Sequence, residues 1–598
     1  MPKSRSPPPS CGPPGFPLRV VSPGGPLHPA TGTDRAGPDV ARELATVPVN
    51  LVIRDLVSFR QVPQGTDKRA VRKMAHSRLN RLAFLGIFLV SGMILAAVAI
   101  PPLPPDATGQ QEDRLGDREP LRPPADPDEQ LFVDWPDPQA TLFVTGRQNG
   151  YLEPCGCTGL DNQKGGMMRR HTLYSELQER GWNPIGLDLG NQVRRYGRQA
   201  SLKMVTSYES LGFDMQYQAI GFGPDDLKLP AIELMAAMTN SGLSTENFVA
   251  ANVTVYDAGF TSRYRVLPNG EMRIGVTMIL DDEYLASITP DKDIRLTPAG
   301  EALAAIAEPL QAEQCDRNVL LAFASLEKCR EFARQYPWFD VIVSGGVDGE
   351  PTREPEVLES SDGQTTWLIQ TGYKGMYVGV VGFFDDPETP MRYQRVPLDA
   401  RFEDSEAIKV RFLRYQRQME ALGLEGLDIR PATHASGRTY VGSEVCADCH
   451  DHAYEVWREG IDGLGGPHFR ATLDLTDPGE RTWVQRHHDP ECLSCHVTGW
   501  NPQQFYPWDS GYLELADEAL HGNGCENCHG PGSHHVAAEN GELDVDEPTR
   551  TGYLKEMIVT LEEARTSLCF ECHDMDNSPD FHKDGAFEKY WKQIEHYE

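Results

Sequence analysis

The sequence predicts a multidomain chain: a layered α/β domain over about residues 139–400, then a separate cysteine- and histidine-rich module over 437–598. Three observations carry that prediction. Short runs of branched residues alternate with helix candidates through the middle of the chain, as they do in layered α/β folds. Cys-x-x-Cys-His occurs four times, always in the last quarter. An uncharged, largely apolar run from Leu82 to Ile100 sets both regions apart from what precedes them. The 598 residues hold two or three domains after such a leader, and 39% hydrophobic content is ordinarily globular.

Residues 1–81 are rich in Pro, Gly and Arg and lack apolar periodicity. They read as a disordered extension with a basic flank, or as sequence upstream of a true start at Met74. As a helix, the run 82–100 extends roughly 28 Å at about 1.5 Å per residue, just enough to cross a hydrocarbon core. Arg72, Lys73, Arg78 and Arg81 precede it, which orients the rest of the chain outward. It ends in Ala97-Val-Ala99, a pattern that signal peptidase cuts, so a signal-anchor helix in the membrane and a cleaved signal peptide both stand. Segment 101–138, dominated by Pro, Asp, Glu and Arg, reads as an extended linker.

Within 139–400, strands are expected at Thr141–Val144, Pro184–Leu189, Phe248–Val253, Asn318–Phe323 and Asp340–Val343. Helices are expected at Met168–Arg180 and Leu326–Tyr336. A linker, 401–436, follows.

The four motifs are Cys446-Ala-Asp-Cys449-His450, Cys492-Leu-Ser-Cys495-His496, Cys525-Glu-Asn-Cys528-His529 and Cys569-Phe-Glu-Cys572-His573. Two thiols at this spacing each form a thioether to one porphyrin, and the next residue's imidazole falls under the iron. Zinc knuckles share the Cys-x-x-Cys pair but need no His directly after it, so four repeats of that His point to four covalent haem c groups. Thioether attachment follows export of the unfolded chain, which implies a location on the periplasmic side of the cytoplasmic membrane. Ten further histidines lie from His434 onward, against three in the first 433 residues, and they are candidate distal ligands.

The strings Tyr440-Val-Gly-Ser-Glu-Val-Cys-Ala-Asp-Cys-His450, Cys525-Glu-Asn-Cys-His-Gly-Pro-Gly-Ser-His-His535 and Asn577-Ser-Pro-Asp-Phe581 with Tyr590-Trp591 go beyond bare haem motifs. From about Tyr440 onward the chain resembles the tetrahaem cytochromes c that accept electrons from hydroxylamine oxidoreductase. The resemblance implies a mainly α-helical, haem-packed module with distal ligands at His468, His535 and His596. His534 competes with His535, and the glycine-rich stretch Arg458–Pro467 replaces a shorter link in the family. Members of the family can leave one iron five-coordinate.

The middle region resembles the metallophosphoesterase domain of secreted 5′-nucleotidases: a strand, Gly165-Gly-x-x-Arg-Arg170, a strand ending in glycine, Phe213-Asp to Ala219-Ile-Gly221, then Val341-Ile-Val-Ser-Gly-Gly346 and Gln370-Thr-Gly-Tyr-Lys-Gly375. Those enzymes hold two metals on Asp and His ligands. At the matching places stand Gly146-Arg-Gln148, Asn191, Phe222-Gly223, Ser325 and Gly345-Gly-Val-Asp348, which cannot hold a pair of hard cations. The resemblance therefore implies a degenerate, non-hydrolytic domain without catalytic residues. Cys155 and Cys157 in Glu153-Pro-Cys-Gly-Cys157 form disulfides with Cys315 and Cys329, or make a thiolate or metal site.

Of the formal charge of −32, the module from Gly437 contributes −21, from 32 acidic and 11 basic residues. That charge disfavours nucleic acid and suits a redox partner with a basic docking patch. The expected function is electron transfer. Two alternatives remain: a multihaem oxidoreductase with one open iron acting on a small nitrogen or sulfur compound, and a phosphoesterase fused to a cytochrome.

Overall fold

The computed structural model describes residues 130–154, 164–194, 197–361, 363–460, 463, 465–477, 484–574 and 577–596. The segment 1–81, the run 82–100, most of the linker 101–138, and Cys155 and Cys157 lie outside the described residues. Among the described residues, no helix is long and apolar enough to cross a membrane.

Four of the expected strands form, as Ala140–Thr145, Ile185–Asp188, Arg317–Phe323 and Val341–Ser344. Both helix candidates form, as Met167–Glu179 and Leu326–Gln335. The fifth strand run is a correction. Residues 248–252 make only isolated bridges, Phe248 to Ile220 and Val249 to Ser262, and regular structure begins at Val253–Val255. Phe248 and Val249 are apolar because they are buried in the core, a signal that a short apolar run shares with a strand.

A five-stranded sheet has Ala140–Thr145 at its centre, antiparallel to Tyr377–Phe383 and parallel to Ile185–Asp188. Met391–Pro397 and Ala219–Ile220 form its edges. A six-stranded sheet runs Glu356–Glu359, Thr365–Gln370, Val341–Ser344, Arg317–Phe323, Met272–Leu280 and Tyr264–Asn269, with the four inner strands parallel.

Side chains alternate across a strand, and that alternation builds the layers. Val319, Leu321, Val341 and Val343 share one core with Leu142, Val144 and Leu187 of the other sheet. Their neighbours Leu320, Ala322 and Ile342 face a second core with the helices Ala299–Ala312 and Leu326–Gln335. The helices Met167–Glu179 and Arg198–Glu209 complete the first core, giving a helix–sheet–sheet–helix sandwich.

The linker 401–436 carries a helix, Glu406–Gly426, whose last turn is broken at Gly423 (φ 57°). Phe412, Tyr415 and Met419 on this helix bury against Leu152 of the α/β domain and Val484 of the C-terminal module. The C-terminal module consists of short helices such as Asp451–Glu459, Pro490–His496 and Glu547–Glu556, with one two-stranded ribbon at Trp500–Asn501 and Tyr506–Pro507. From residue 437 on, only twelve of the described apolar side chains are buried. They form small separate clusters, such as Leu493, Val497, Trp500 and Tyr512, and Ala564, Phe581 and Phe587.

Candidate haem-binding site

Two of the motifs sit on short helices that begin where their sequence caps them or turns. Asp489 accepts from Glu491 N at 3.0 Å and starts Pro490–His496, with Pro490 in the first turn, where its missing N–H costs nothing. Gly524 starts Cys525–His529, and Gly530 (φ 80°) ends it with a backbone that glycine adopts readily.

Cys525 N donates to Ser443 Oγ of the helix that carries Cys446, at 3.1 Å, and Asn523 Nδ2 donates to Cys495 O at 3.1 Å and reaches the Cys572 thiol at 4.0 Å. The first motif therefore adjoins the third, and the second adjoins the fourth. Burial pushes the Cys492 thiol up to about 12, with Asp489 adding to the effect and Arg486 and Lys203 opposing it.

The imidazoles following the motifs are oriented. His496 Nδ1 lies 2.8 Å from Ala471 O and His529 Nδ1 lies 2.6 Å from Met557 O. A carbonyl only accepts, so Nδ1 carries the proton and Nε2 keeps its lone pair for a metal. His573 Nδ1 meets Ser578 Oγ at 2.9 Å.

Three of these rings face a second imidazole. His450 and His535 have ring centroids 6.4 Å apart, His468 and His573 6.1 Å, and His529 and His596 5.9 Å. Two imidazoles bonded to one metal at about 2 Å each hold their centroids roughly 6 Å apart. The three separations are wide enough to admit an iron between the rings. Burial lowers the pKa of His468 to about 4, with His573 and His496 adding to the effect, and burial also lowers His529, His535 and His573. Neutral imidazole is the form that ligates.

Six of the seven other candidate histidines meet partners elsewhere. His534 packs on Tyr553 at 5.2 Å, and His487 and His488 face each other at 4.1 Å. His434 lies 4.8 Å from Trp508, His521 bonds Leu515 O, and His582 bonds His573 O.

A cavity of about 910 Å³ runs along the second and fourth motifs, lined by Cys492, Cys495, His496, Cys569, Cys572 and His573. Porphyrin rings fit here in kind: paired thiols, oriented imidazoles at metal-bridging separation, and a cavity along two of the motifs.

Sequence reasoning passed over Glu526, inside the third motif. Its buried carboxylate accepts from Val441 N and Gly442 N ahead of the first motif, and from Gly532 N in the loop that delivers His535. A carboxylate that is 1% exposed within a Cys-x-x-Cys pair is the signal that marks it.

In the α/β domain, the positions expected to lack metal ligands are filled by side-chain bonds. Arg147 donates to Val347 O and to Asp348, and Arg170 donates to Gln148 and, at 3.3 Å, to Asp188. Asn191 Nδ2 donates to Asn149 at 2.8 Å and Asp225 at 3.1 Å. Guanidinium groups thus neutralise the carboxylates. No cluster of three or more His, Cys, Asp or Glu side chains able to hold a metal exists among the described residues. Cys329 donates to Ala324 O at 3.8 Å, and the expected disulfide partners of Cys315 and Cys329, Cys155 and Cys157, lie outside the described residues.

Residues 445–530 match the family model described as cytochrome c554 and c-prime. No curated protein matches the chain. Among solved structures, a 5′-nucleotidase precursor from Thermus thermophilus is similar at 18% identity and a TM-score of 0.42, covering 56% of this chain and 66% of that one. The NAD nucleotidase of Haemophilus influenzae is similar at 15% identity and 0.40, covering 51% and 63%. The sulfate thiohydrolase of Thermus thermophilus is similar at 14% and 0.39, covering 48% and 62%. Each match spans less than two thirds of the other chain's length.

Proposed function

We propose that this chain is an exported tetrahaem c-type cytochrome that transfers electrons, joined to a nucleotidase-like domain that does not hydrolyse. The observation that carries the reading is the trio of imidazole pairs at 5.9–6.4 Å, each with one ring from a Cys-x-x-Cys-His motif. Haem, when bound, supplies a one-electron couple whose potential follows axial ligation and burial. The chain's own residues hold and shield it. Paired thiols anchor the ring edge, Ala471 O and Met557 O fix the ligand tautomers, and His468, His535 and His596 serve as second ligands. Covalent haem and the basic flank before Leu82 support a periplasmic location, with or without a membrane anchor. The acidic module supports a redox partner with a basic patch.

The test is haem stoichiometry by the pyridine adduct, with the ferric absorption and paramagnetic resonance spectra of the purified protein. Four haems are expected, with low-spin signals from the three whose motif histidine faces a second imidazole. A high-spin signal that shifts on adding nitrite or hydroxylamine would replace the carrier by an oxidoreductase. Hydrolysis of a chromogenic phosphate ester with manganese or zinc would restore the phosphoesterase alternative.

A further inference from the structure

We propose that the α/β domain is part of the haem site at Cys492–His496: its loop Asn149–Pro154 and Lys203 close one side of that pocket, and Lys203 and Glu153 set the potential of that one haem. The proposal rests on the haem reading above.

Two observations carry it. The cavity that reaches Cys492, Cys495 and His496 is also lined by Asn149, Tyr151, Leu152, Glu153, Pro154 and Lys203, all from the α/β domain. The helix that bears this motif is also fastened to that domain at its start. Lys203 Nζ lies 2.8 Å from Glu491 and 3.9 Å from Asp489, and Glu153 pairs with Arg486. The ion pairs that cross from the α/β domain thus land on residues 486, 489 and 491, beside this motif.

These charges are sheltered. The side chains of Lys203, Asp489 and Glu153 are 10%, 4% and 4% exposed. Burial alone would lower the Lys203 ammonium, but Glu491 and Asp489 outweigh it and hold it above its ordinary range, so it stays charged. In a medium that screens poorly, a unit charge acts over several ångströms on any group that changes charge nearby. A cation favours the reduced haem and raises its potential, and an anion lowers it.

The location gives the domain a role in place of hydrolysis. The loop Asn149–Pro154 directly follows Gly146-Arg-Gln148, where the metal ligands of a phosphoesterase are missing; Arg147 pairs with the exposed Asp348, and Gln148 accepts from the buried Arg170. The residues just beyond them turn to the cavity instead.

The experiment is a potentiometric titration of the full-length haem-loaded protein, followed by paramagnetic resonance so that each haem is resolved. It compares the unaltered chain with Lys203→Met, Lys203→Arg and Glu153→Gln. Lys203→Met should lower one potential of the four, Glu153→Gln should raise the same one, and Lys203→Arg should leave it in place. Four haems with no selective shift, or with all four potentials moving together, would overturn the proposal while leaving the haem reading intact. Fewer than four haems in the unaltered chain would overturn the haem reading itself. If Lys203→Met fails to load, the single-atom change Glu153→Gln decides, because its expected shift has the opposite sign.

Discussion

His534 and His535 are adjacent in sequence, and the helix Ser533–Glu539 sends them different ways. His535 faces His450 at 6.4 Å, while His534 packs on Tyr553. His535→Leu should therefore convert one of the three low-spin haems to high spin, and His534→Leu should leave the spectrum unchanged. The reverse pattern would reassign the ligand. Asp226 shows how a single buried carboxylate governs a domain. It is 0% exposed and accepts backbone N–H groups of Gln192 at 2.7 Å and Gly223 at 2.9 Å, yet burial raises its pKa to about 7 against the pull of those donors. Below the unfolded carboxylate value both states hold the proton. Between there and pH 7 the unfolded chain loses it first, so stability falls as pH rises and levels off above 7. The full contribution is on the order of 4 kcal/mol. Urea midpoints of the α/β transition should decline from pH 4 to pH 7, and Asp226→Asn should flatten that slope.

The helix Glu406–Gly426 lies where the sequence shows only a connection between domains. Its Tyr415 is fully buried and donates to Asp489 Oδ2 at 2.9 Å, and that carboxylate also caps the motif helix Pro490–His496. Tyr415→Phe leaves a buried carboxylate short of a donor, which costs roughly 1–3 kcal/mol. Proteolysis between the α/β domain and the C-terminal module should speed up accordingly, about five-fold or more. Unchanged cleavage would show that the apolar contacts of Phe412 and Met419 hold the helix alone. Much of the element map was legible in the sequence. Arg317–Phe323 and Val341–Ser344 are branched runs bounded by polar residues, and a haem motif declares its own chemistry. Less was legible where meaning depends on a distant partner. Phe248 and Val249 look like a strand because burial and strand formation both select apolar residues. Glu406–Gly426 alternates charged and apolar residues too evenly to declare which face is buried, and it takes Leu152 and Val484, far apart in sequence, to define one. The identity of His468 as the partner of the fourth motif rather than the first could not be read from spacing, because the fold sets that distance.

At the scale of the whole molecule, charge is unevenly divided: the C-terminal module from Gly437 carries −21 of the formal −32. The two ion pairs at the junction leave that balance unchanged, since Lys203 of the α/β domain offsets the module's Glu491 while Glu153 of the α/β domain takes up the module's Arg486. Asp489 and Glu526 are buried, and many of the other carboxylates face solvent. Glu542, Asp544, Asp546, Glu547, Glu562 and Glu563 are all exposed, on the stretch around Met557, whose carbonyl orients His529. A field of one sign over a redox module acts on encounter more than on the bound complex, because long-range attraction raises the rate of approach and is screened within about 8 Å at physiological salt. Electron transfer to a small basic cytochrome should therefore have a second-order rate that falls at least about ten-fold between low and high ionic strength. Transfer to a neutral quinone over the same range should hardly change, which separates steering from any effect of salt on the haem potentials. If the two acceptors respond alike, the acidic surface serves solubility and the partner docks by other means. If only the basic one responds, reversing Glu562 and Glu563 to Lys should reproduce part of the high-salt rate at low salt, tying the field to the face beside His529.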